Sequence, residues 1–293
     1  VMLSLTAQVA TTYFQLLGYK RNLRIAERSY ALRRESAALI DSMFSHGMAN
    51  GVALQQARSL VYTAAADIPT YRRAVAQMQL TLGTLLGENP QQPFDVGSGV
   101  RLMEDYQPID VPVGLPSELL ERRPDIMGAY YNMEAAAYKA RYARSVRFPS
   151  ISLTGAGGVA GNALKELTSG KPWVWSAVGQ VTEPLFAFGK LKRAEQAAVE
   201  AYKQQVYTYE QTVIEAFADV ETALVSIETY RKQAIRQAQL VLANDRISEM
   251  NRELYRNGMS AYLDVIDAER ELYASQMQFV EIAVQQYVNY VSL

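Results

Sequence analysis

Through most of the sequence, apolar positions recur at alternating steps of three and four, the spacing of helices packed side by side. The longest such run lies within residues 184–293. Val206, Tyr209, Val213, Ala216, Val220, Leu224 and Ile227 form a heptad seam, and Leu263, Ile266, Tyr273, Met277, Val280, Val284, Tyr287 and Val291 resume it further on. Residues 185–256 contain no proline and only one glycine, Gly189. The pattern therefore predicts continuous helix over roughly 70 residues, about 105 Å at 1.5 Å per residue. A break is expected at Asn257-Gly258, where glycine tolerates positive φ, followed by a returning helix capped by Ser260.

The N-terminal part repeats this plan. Val9, Tyr13, Leu16, Leu23, Ala26, Tyr30, Ala37 and Ile40 give a helix over 3–43. Ser45-His46-Gly47 breaks it, and a second helix is expected over 52–86, kinked at Pro69 and stopped by Gly87. Gly47 and Gly258 stand 211 residues apart, and at that offset Val9 meets Val220, Tyr19 meets Tyr230, Phe44 meets Tyr255, Met48 meets Met259 and Tyr62 meets Tyr273. Matching breaks and matching residues favour an internal duplication. Between the copies, 89–116 is rich in Pro, Gly and Asp and reads as an extended linker. Leu115-Pro116-Ser117 then opens a short helix, and Pro124 suits the first turn of another that runs to about 147.

Between 148 and 184 the period changes to two. Ile151, Leu153, Gly155, Gly157 and Val159 alternate with Ser150, Ser152, Thr154, Ala156 and Gly158; after a Gly161-Asn162 turn and a polar loop, Trp173, Trp175, Ala177, Gly179 and Val181 alternate with Val174, Ser176, Val178, Gln180 and Thr182. Each run is about 10 residues, enough for a tilted strand to cross a bilayer. Trp173 and Trp175 sit together at one end, as in a membrane-interface girdle. The alternation alone fits a soluble hairpin equally well. In lipid, two strands would need further strands to close a barrel.

Composition narrows the function classes. The chain has 293 residues, 49% hydrophobic and 20% charged, which suits neither a disordered chain nor a helical membrane protein. No stretch offers the 18 or so consecutive apolar residues of a membrane helix. A formal net charge of −1 gives no polyanion-binding signature and argues against nucleic acid as a partner. With no cysteine and one histidine, no constellation for catalysis or metal binding emerges; His46, beside Gly47, reads as a solvated turn residue, and no cofactor is expected. Val1-Met2-Leu3-Ser4-Leu5-Thr6 lacks a basic leader and reads as the interior of a helix, so the sequence is expected to be a piece of a longer chain.

Four segments carry a resemblance: Leu115-Pro116-Ser117-Glu118-Leu119-Leu120-Glu121-Arg122-Arg123-Pro124-Asp125-Ile126, Phe148-Pro149-Ser150-Ile151-Ser152-Leu153-Thr154-Gly155, Pro184-Leu185-Phe186 with Gly189, and Tyr255-Arg256-Asn257-Gly258 leading into Leu263-Asp264-Val265-Ile266-Asp267-Ala268. In this order and spacing they resemble the outer membrane factors, the TolC-like ducts of tripartite efflux pumps, in particular the NodT-type branch. The resemblance implies a mainly α fold in which long antiparallel helical hairpins build a trimeric periplasmic α-barrel and a transmembrane β-hairpin contributes to a shared outer membrane β-barrel. It implies five regions: a helical hairpin over 1–88, a linker over 89–116, helices over 117–147, the β-hairpin over 148–184 and the long hairpin over 185–293. Family members carry two strand hairpins per protomer; the first, with a lipid-modified cysteine, is expected upstream of Val1.

Function follows as an expectation: a passive, non-enzymatic exit duct for drugs or other small toxic compounds. The implied partners are two further copies in a homotrimer, a periplasmic adaptor, a proton-driven inner membrane transporter and outer membrane lipid. Asp264 and Asp267, three apart on one side of a helix, match family carboxylates at the constricted tip, Tyr255 matches a tyrosine that helps hold the tip shut, and Ser260 falls where some relatives carry an arginine latch. Read alone, the two aspartates are also ordinary helix N-terminal carboxylates. Gly47 and Gly258, with Ser45 and Asn257, are the turns expected to dock the adaptor, or else simple helix reversals. The competing reading is a non-channel coiled-coil scaffold, which leaves 148–184 unexplained.

Overall fold

The structure, a computed structural model, describes residues 2–89, 123–159 and 173–293. The linker beyond Asn89, the helix opening at Leu115 and the Gly161-Asn162 turn with its polar loop lie outside the described residues. In chain order the elements are α1 (Met2–Ser45), α2 (Gly51–Leu86), α3 (Pro124–Ser145), β1 (Ser150–Val159), β2 (Trp173–Thr182), α4 (Lys190–Arg256) and α5 (Tyr262–Ser292). Two compact units form, Val1–Pro112 with Asp219–Leu293, and Val113–Ala218.

The helical breaks at the three expected glycines share one hydrogen-bond pattern. Gly47, Gly87 and Gly258 have φ of 73°, 77° and 72°. After α1, the Gly47 N–H donates to the Phe44 carbonyl at 2.9 Å and Met48 N–H to Met43 at 2.8 Å; after α4, Gly258 donates to Tyr255 at 2.9 Å and Met259 to Leu254 at 2.8 Å. These are Schellman closures, in which left-handed glycine satisfies the last carbonyls of a helix. The α1 and α4 closures superpose at the 211-residue offset of the repeat. α2 continues helically through Pro69.

Two expectations need correction. α4 starts at Lys190, not at residue 185, because Phe188 and Gly189 both take left-handed backbone, φ 46° and 77°, which a right-handed helix cannot contain. Ser260 does not cap α5. The cap is Ala261, which has no acceptor of its own, and the Asp264 carboxylate accepts its N–H at 3.1 Å; Ser260 Oγ is buried without a partner among the described residues. At the equivalent place before α2, Asn50 Oδ1 accepts the Ala53 N–H at 2.8 Å. The two repeats thus use opposite halves of a capping box.

In the first unit α5 is held from two sides. Leu17 and Ile25 of α1 enclose Val280 and Val284, while Ile40 of α1 and Leu54 and Ala57 of α2 enclose Tyr262, Val265 and Ile266. The helices approach so closely at Gly18 that a Cβ there would lie 2.6 Å from Val284 Cγ2. Toward α4 the contact mixes apolar and amide side chains. Ala234 and Val241 pack on Phe279 and Ile282. Gln237 Nε2 donates to the Ser275 carbonyl at 3.1 Å and to Gln278 Oε1 at 3.3 Å, Asn244 Nδ2 to the Glu271 carbonyl at 3.3 Å, and Asn251 Nδ2 to the Asp264 carbonyl at 3.4 Å. The three donors stand seven residues apart, as do Gln278, Glu271 and Asp264 opposite them, so each rung fixes the same antiparallel register. Of the three amides only Gln237 is buried, so a slip that cost it both acceptors would carry the largest penalty, and the more exposed Asn244 and Asn251 rungs add to the same register.

In the second unit Arg123 clamps the start of α3. Its guanidinium grips Asp125 at 3.2 and 2.7 Å and donates to the Ala216 carbonyl of α4 at 3.2 Å; the hydrogen bonds from Arg123 hold the Asp125 carboxyl below its usual range. Arg147 pairs with Glu195 at the other end of α3.

Gly18→Leu should lower stability by about 2–3 kcal/mol through overpacking against Val284, and Val284→Ala in the same chain should recover part of that loss. Thermal or denaturant unfolding of the four-variant cycle measures both; additive losses would deny the contact.

Candidate functional site at the ribbon and the helix turns

β1 and β2 pair antiparallel from Ser150↔Thr182 to Val159↔Trp173. This register puts Ile151 opposite Val181, Leu153 opposite Gly179, Gly155 opposite Ala177 and Gly157 opposite Trp175, all on one face. Ser150, Ser152, Thr154 and Ala156 share the other with Thr182, Gln180, Val178 and Ser176. A one-residue slip would mix the two sets. Glycine at 157 admits the Trp173 ring, which would lie 3.3 Å from a Cβ there. The apolar face is bare: Ile151, Leu153, Trp173 and Trp175 are 80, 81, 74 and 71% exposed. Covering each such side chain stabilises by about 1.5–3 kcal/mol. Among the described residues no helix is long and apolar enough to cross a membrane.

The Gly47 and Gly258 turns lie at the far ends of their hairpins from the helix termini that lead into the rest of the chain, and their backbone glycines are exposed. Ser45 Oγ donates to the Asp41 carbonyl at 2.8 Å. Asn257 N–H donates to Glu253 at 3.1 Å, leaving its exposed side chain free of any bond among the described residues. His46 Nδ1 lies 2.7 Å from the Ser42 carbonyl, a local turn contact. Met48 and Met259, matched in the sequence as a repeat pair, are surface residues, and Leu263, expected in the apolar seam, instead lies outside it, because α5 turns Tyr262, Val265 and Ile266 inward. Met48 and Met259 are 67 and 66% exposed, and Val52 and Leu263 are 66 and 54% exposed. Each pair is related by the offset of 211, so the repeat carries exposed apolar residues at equivalent places beside its two turns.

Asp264 and Asp267 are both exposed on the first turns of α5. Asp264 is engaged locally as the cap of Ala261, and Asp267 lies 3.8 Å from Arg270, an exposed pair of little energetic weight. Tyr255 does not meet the aspartates; its ring packs on Tyr262 at 5.3 Å and 52°. Burial pushes the Tyr255 hydroxyl upward and that of Tyr262 to about 12, Glu269 and Tyr255 adding to the latter. Arg256 reaches Glu35 at 3.5 Å across the turn region. Together Glu35, Leu39, Arg252, Arg256 and the two tyrosines line a cavity of about 300 Å³. No group of residues suited to holding a metal occurs among the described residues.

The chain combines a bare period-two ribbon with paired helical hairpins, and sequence comparison decides its family. Residues 1–88 and 115–293 match the outer membrane efflux protein family. The chain belongs to that family. Among its relatives, the cation efflux system protein CusC of Escherichia coli O6:H1 is 32% identical over 296 residues, covering 100% of this chain and 63% of CusC. The solvent efflux pump outer membrane protein SrpC of Pseudomonas putida is 34% identical over 294 residues, covering 100% of this chain and 62% of SrpC. The chain thus spans less than two thirds of the length of these curated relatives. Among solved structures, a membrane protein from Pseudomonas aeruginosa matches with TM-score 0.88 at 29% identity, covering 99% of this chain and 67% of that one. The Neisseria gonorrhoeae MtrE outer membrane channel, in its open state, matches with TM-score 0.85 at 29% identity, covering 99% and 65%. The fold expected of this family, helical hairpins with a β-hairpin, is the fold observed.

Proposed function

We propose that this chain is part of an outer membrane channel subunit of a tripartite efflux system, a passive duct through which small toxic compounds leave the cell. The observation that carries the reading is the ribbon. A family member that leaves a register-matched apolar face uncovered has an element suited to lipid on that side and to a polar bore on the other. Two strands cannot close a barrel, so the subunit acts in a homotrimer whose strands are shared, with the helical hairpins continuing the wall into the periplasm. The division into hairpin, linker and ribbon regions drawn from the sequence serves this arrangement. Substrate choice then rests with a proton-driven transporter in the inner membrane, because a wide bore discriminates little.

At the tip, Asp264 and Asp267 from three copies would form a ring of carboxylates that favours cations and narrows the passage, with Tyr255 on Tyr262 bracing the wall behind it and Ser260 standing where no ionic latch is available. The exposed Met48, Val52, Met259 and Leu263 flank Gly47 and Gly258 and give the periplasmic adaptor two equivalent apolar contacts per subunit, beside Ser45 and Asn257.

Planar-bilayer recordings of the full-length protein test the aperture. Asp264→Ala with Asp267→Ala should raise conductance and lower cation selectivity. The paired Asn variants, whose residue 264 can still cap Ala261, should lower selectivity alone, and unchanged selectivity in both pairs would remove these carboxylates from the pore. Cysteines placed at Ser45 and Asn257 should crosslink to the adaptor in assembled pumps; no adduct from either site would rule out docking at the turns.

A further inference from the structure

One buried carboxylate on α5 has no part in the capping or in the aperture. Glu269 is 8% exposed and receives a single, long hydrogen bond, from Ser36 Oγ of α1 to Oε1 at 3.4 Å. Arg33 of α1, 4% exposed, faces it, but donates to the Leu60 carbonyl at 3.3 Å and stands over the Tyr273 ring at 5.3 Å, with Nε buried and unpartnered among the described residues. Arg252 of α4 also faces it, yet directs Nε and Nη2 to the carbonyl and hydroxyl of Ser248 at 3.2 and 3.4 Å. From α2, Asp67 accepts the Tyr273 hydroxyl at 2.9 Å and adds negative charge beside Arg33. On α5 itself, Tyr262 and Tyr273 lie to either side, and Arg270 is turned to Asp267. Neither guanidinium forms an ion pair with Glu269.

A carboxylate buried with one weak donor and no contacting cation is poorly compensated in its charged form. Burial accordingly pushes the Glu269 carboxyl up, against the opposing pull of Arg252, Arg33 and Ser36, and the same burial lowers Arg33. We propose that Glu269 is a proton-operated latch between α1 and α5, holding the helices together in its neutral form and easing their separation when ionised. The packed helices keep a proton on this carboxyl up to a higher pH than separated helices do. Packing is therefore firmest below the ordinary glutamate range and weakens as pH rises through the raised value. Tyr262, within the field of Glu269 and packed at a tilt on Tyr255, carries that loosening to the turn; this last step rests on the aperture reading above.

The test is hydrogen exchange of α5 amides in the full-length protein, corrected for the intrinsic effect of pH. Wild-type protection should rise as pH falls toward the ordinary glutamate range, by at most about tenfold per pH unit for one proton. Glu269→Gln, a fixed neutral form, should be well protected throughout. Ser36→Ala, which removes the donor favouring the ionised form, should move the wild-type transition to higher pH and serves if the Gln variant does not assemble. Equal pH dependence in wild type and variants would overturn the latch. Channel recordings on the same preparations separate the two readings: exchange as stated with pH-independent opening supports the latch and refutes its link to the aperture.

Discussion

α5 has to satisfy two neighbours at once, and they hold it by different chemistry. Against α1 the contact is a close approach of apolar surfaces, made possible because residue 18 has no side chain to collide with Val284. Dispersion and burial supply that contact's energy but little sense of register. Against α4 the seam alternates small apolar residues with amides, and Gln237, Asn244 and Asn251 find acceptors on α5 in one antiparallel register. Hydrogen-bonded amides at a heptad spacing add modest stability, and the penalty for misalignment falls mainly on Gln237, the buried one of the three. The first interface fixes how tightly the helices sit and the second fixes where.

Register at this interface decides what the turns present. Because α4 and α5 cannot slide freely, Gly258 reverses the chain at one fixed level, with Asp264 bound to Ala261 and Tyr255 resting on Tyr262. The first copy of the same plan, at Gly47, closes with matching hydrogen bonds, so the repeated sequence produces two equivalent reversals with equally exposed methionines. The β-ribbon follows the opposite logic. Its register gathers Ile151, Leu153, Trp173, Trp175 and Val181 on one face, and that face is left uncovered by the described chain. The helices bury part of their apolar surface against one another, and they too leave side chains such as Tyr207, Ile214, Val225 and Leu242 exposed.

Much of this was legible in the sequence, for identifiable reasons. Glycine at 47, 87 and 258 announced the helix ends because left-handed closure is costly for other residues, and strict alternation bounded by Pro149 and Trp173 announced both strands. The start of α4 was not legible, since Phe188 takes a left-handed conformation that no composition rule anticipates and the helical pattern runs straight through it. Ser260 drew attention as a cap because serine usually caps, whereas the donor is Ala261 and the acceptor lies three residues on. Of the site, the paired aspartates and both turns were visible; the amide rungs and the Glu269 cluster were not, because their meaning depends on partners 13 to 233 residues away.

A duct of this kind requires the two faces of the ribbon to meet different media. Spin labels placed singly along β2 in the full-length protein in lipid vesicles, with accessibility to oxygen and to a water-soluble nickel complex measured at each site, test this directly. Positions 175, 177, 179 and 181 should favour oxygen, and 174, 176, 178 and 180 the nickel complex, with a strict period of two. Equal access of the nickel complex to both sets would show a ribbon surrounded by water and would contradict the duct.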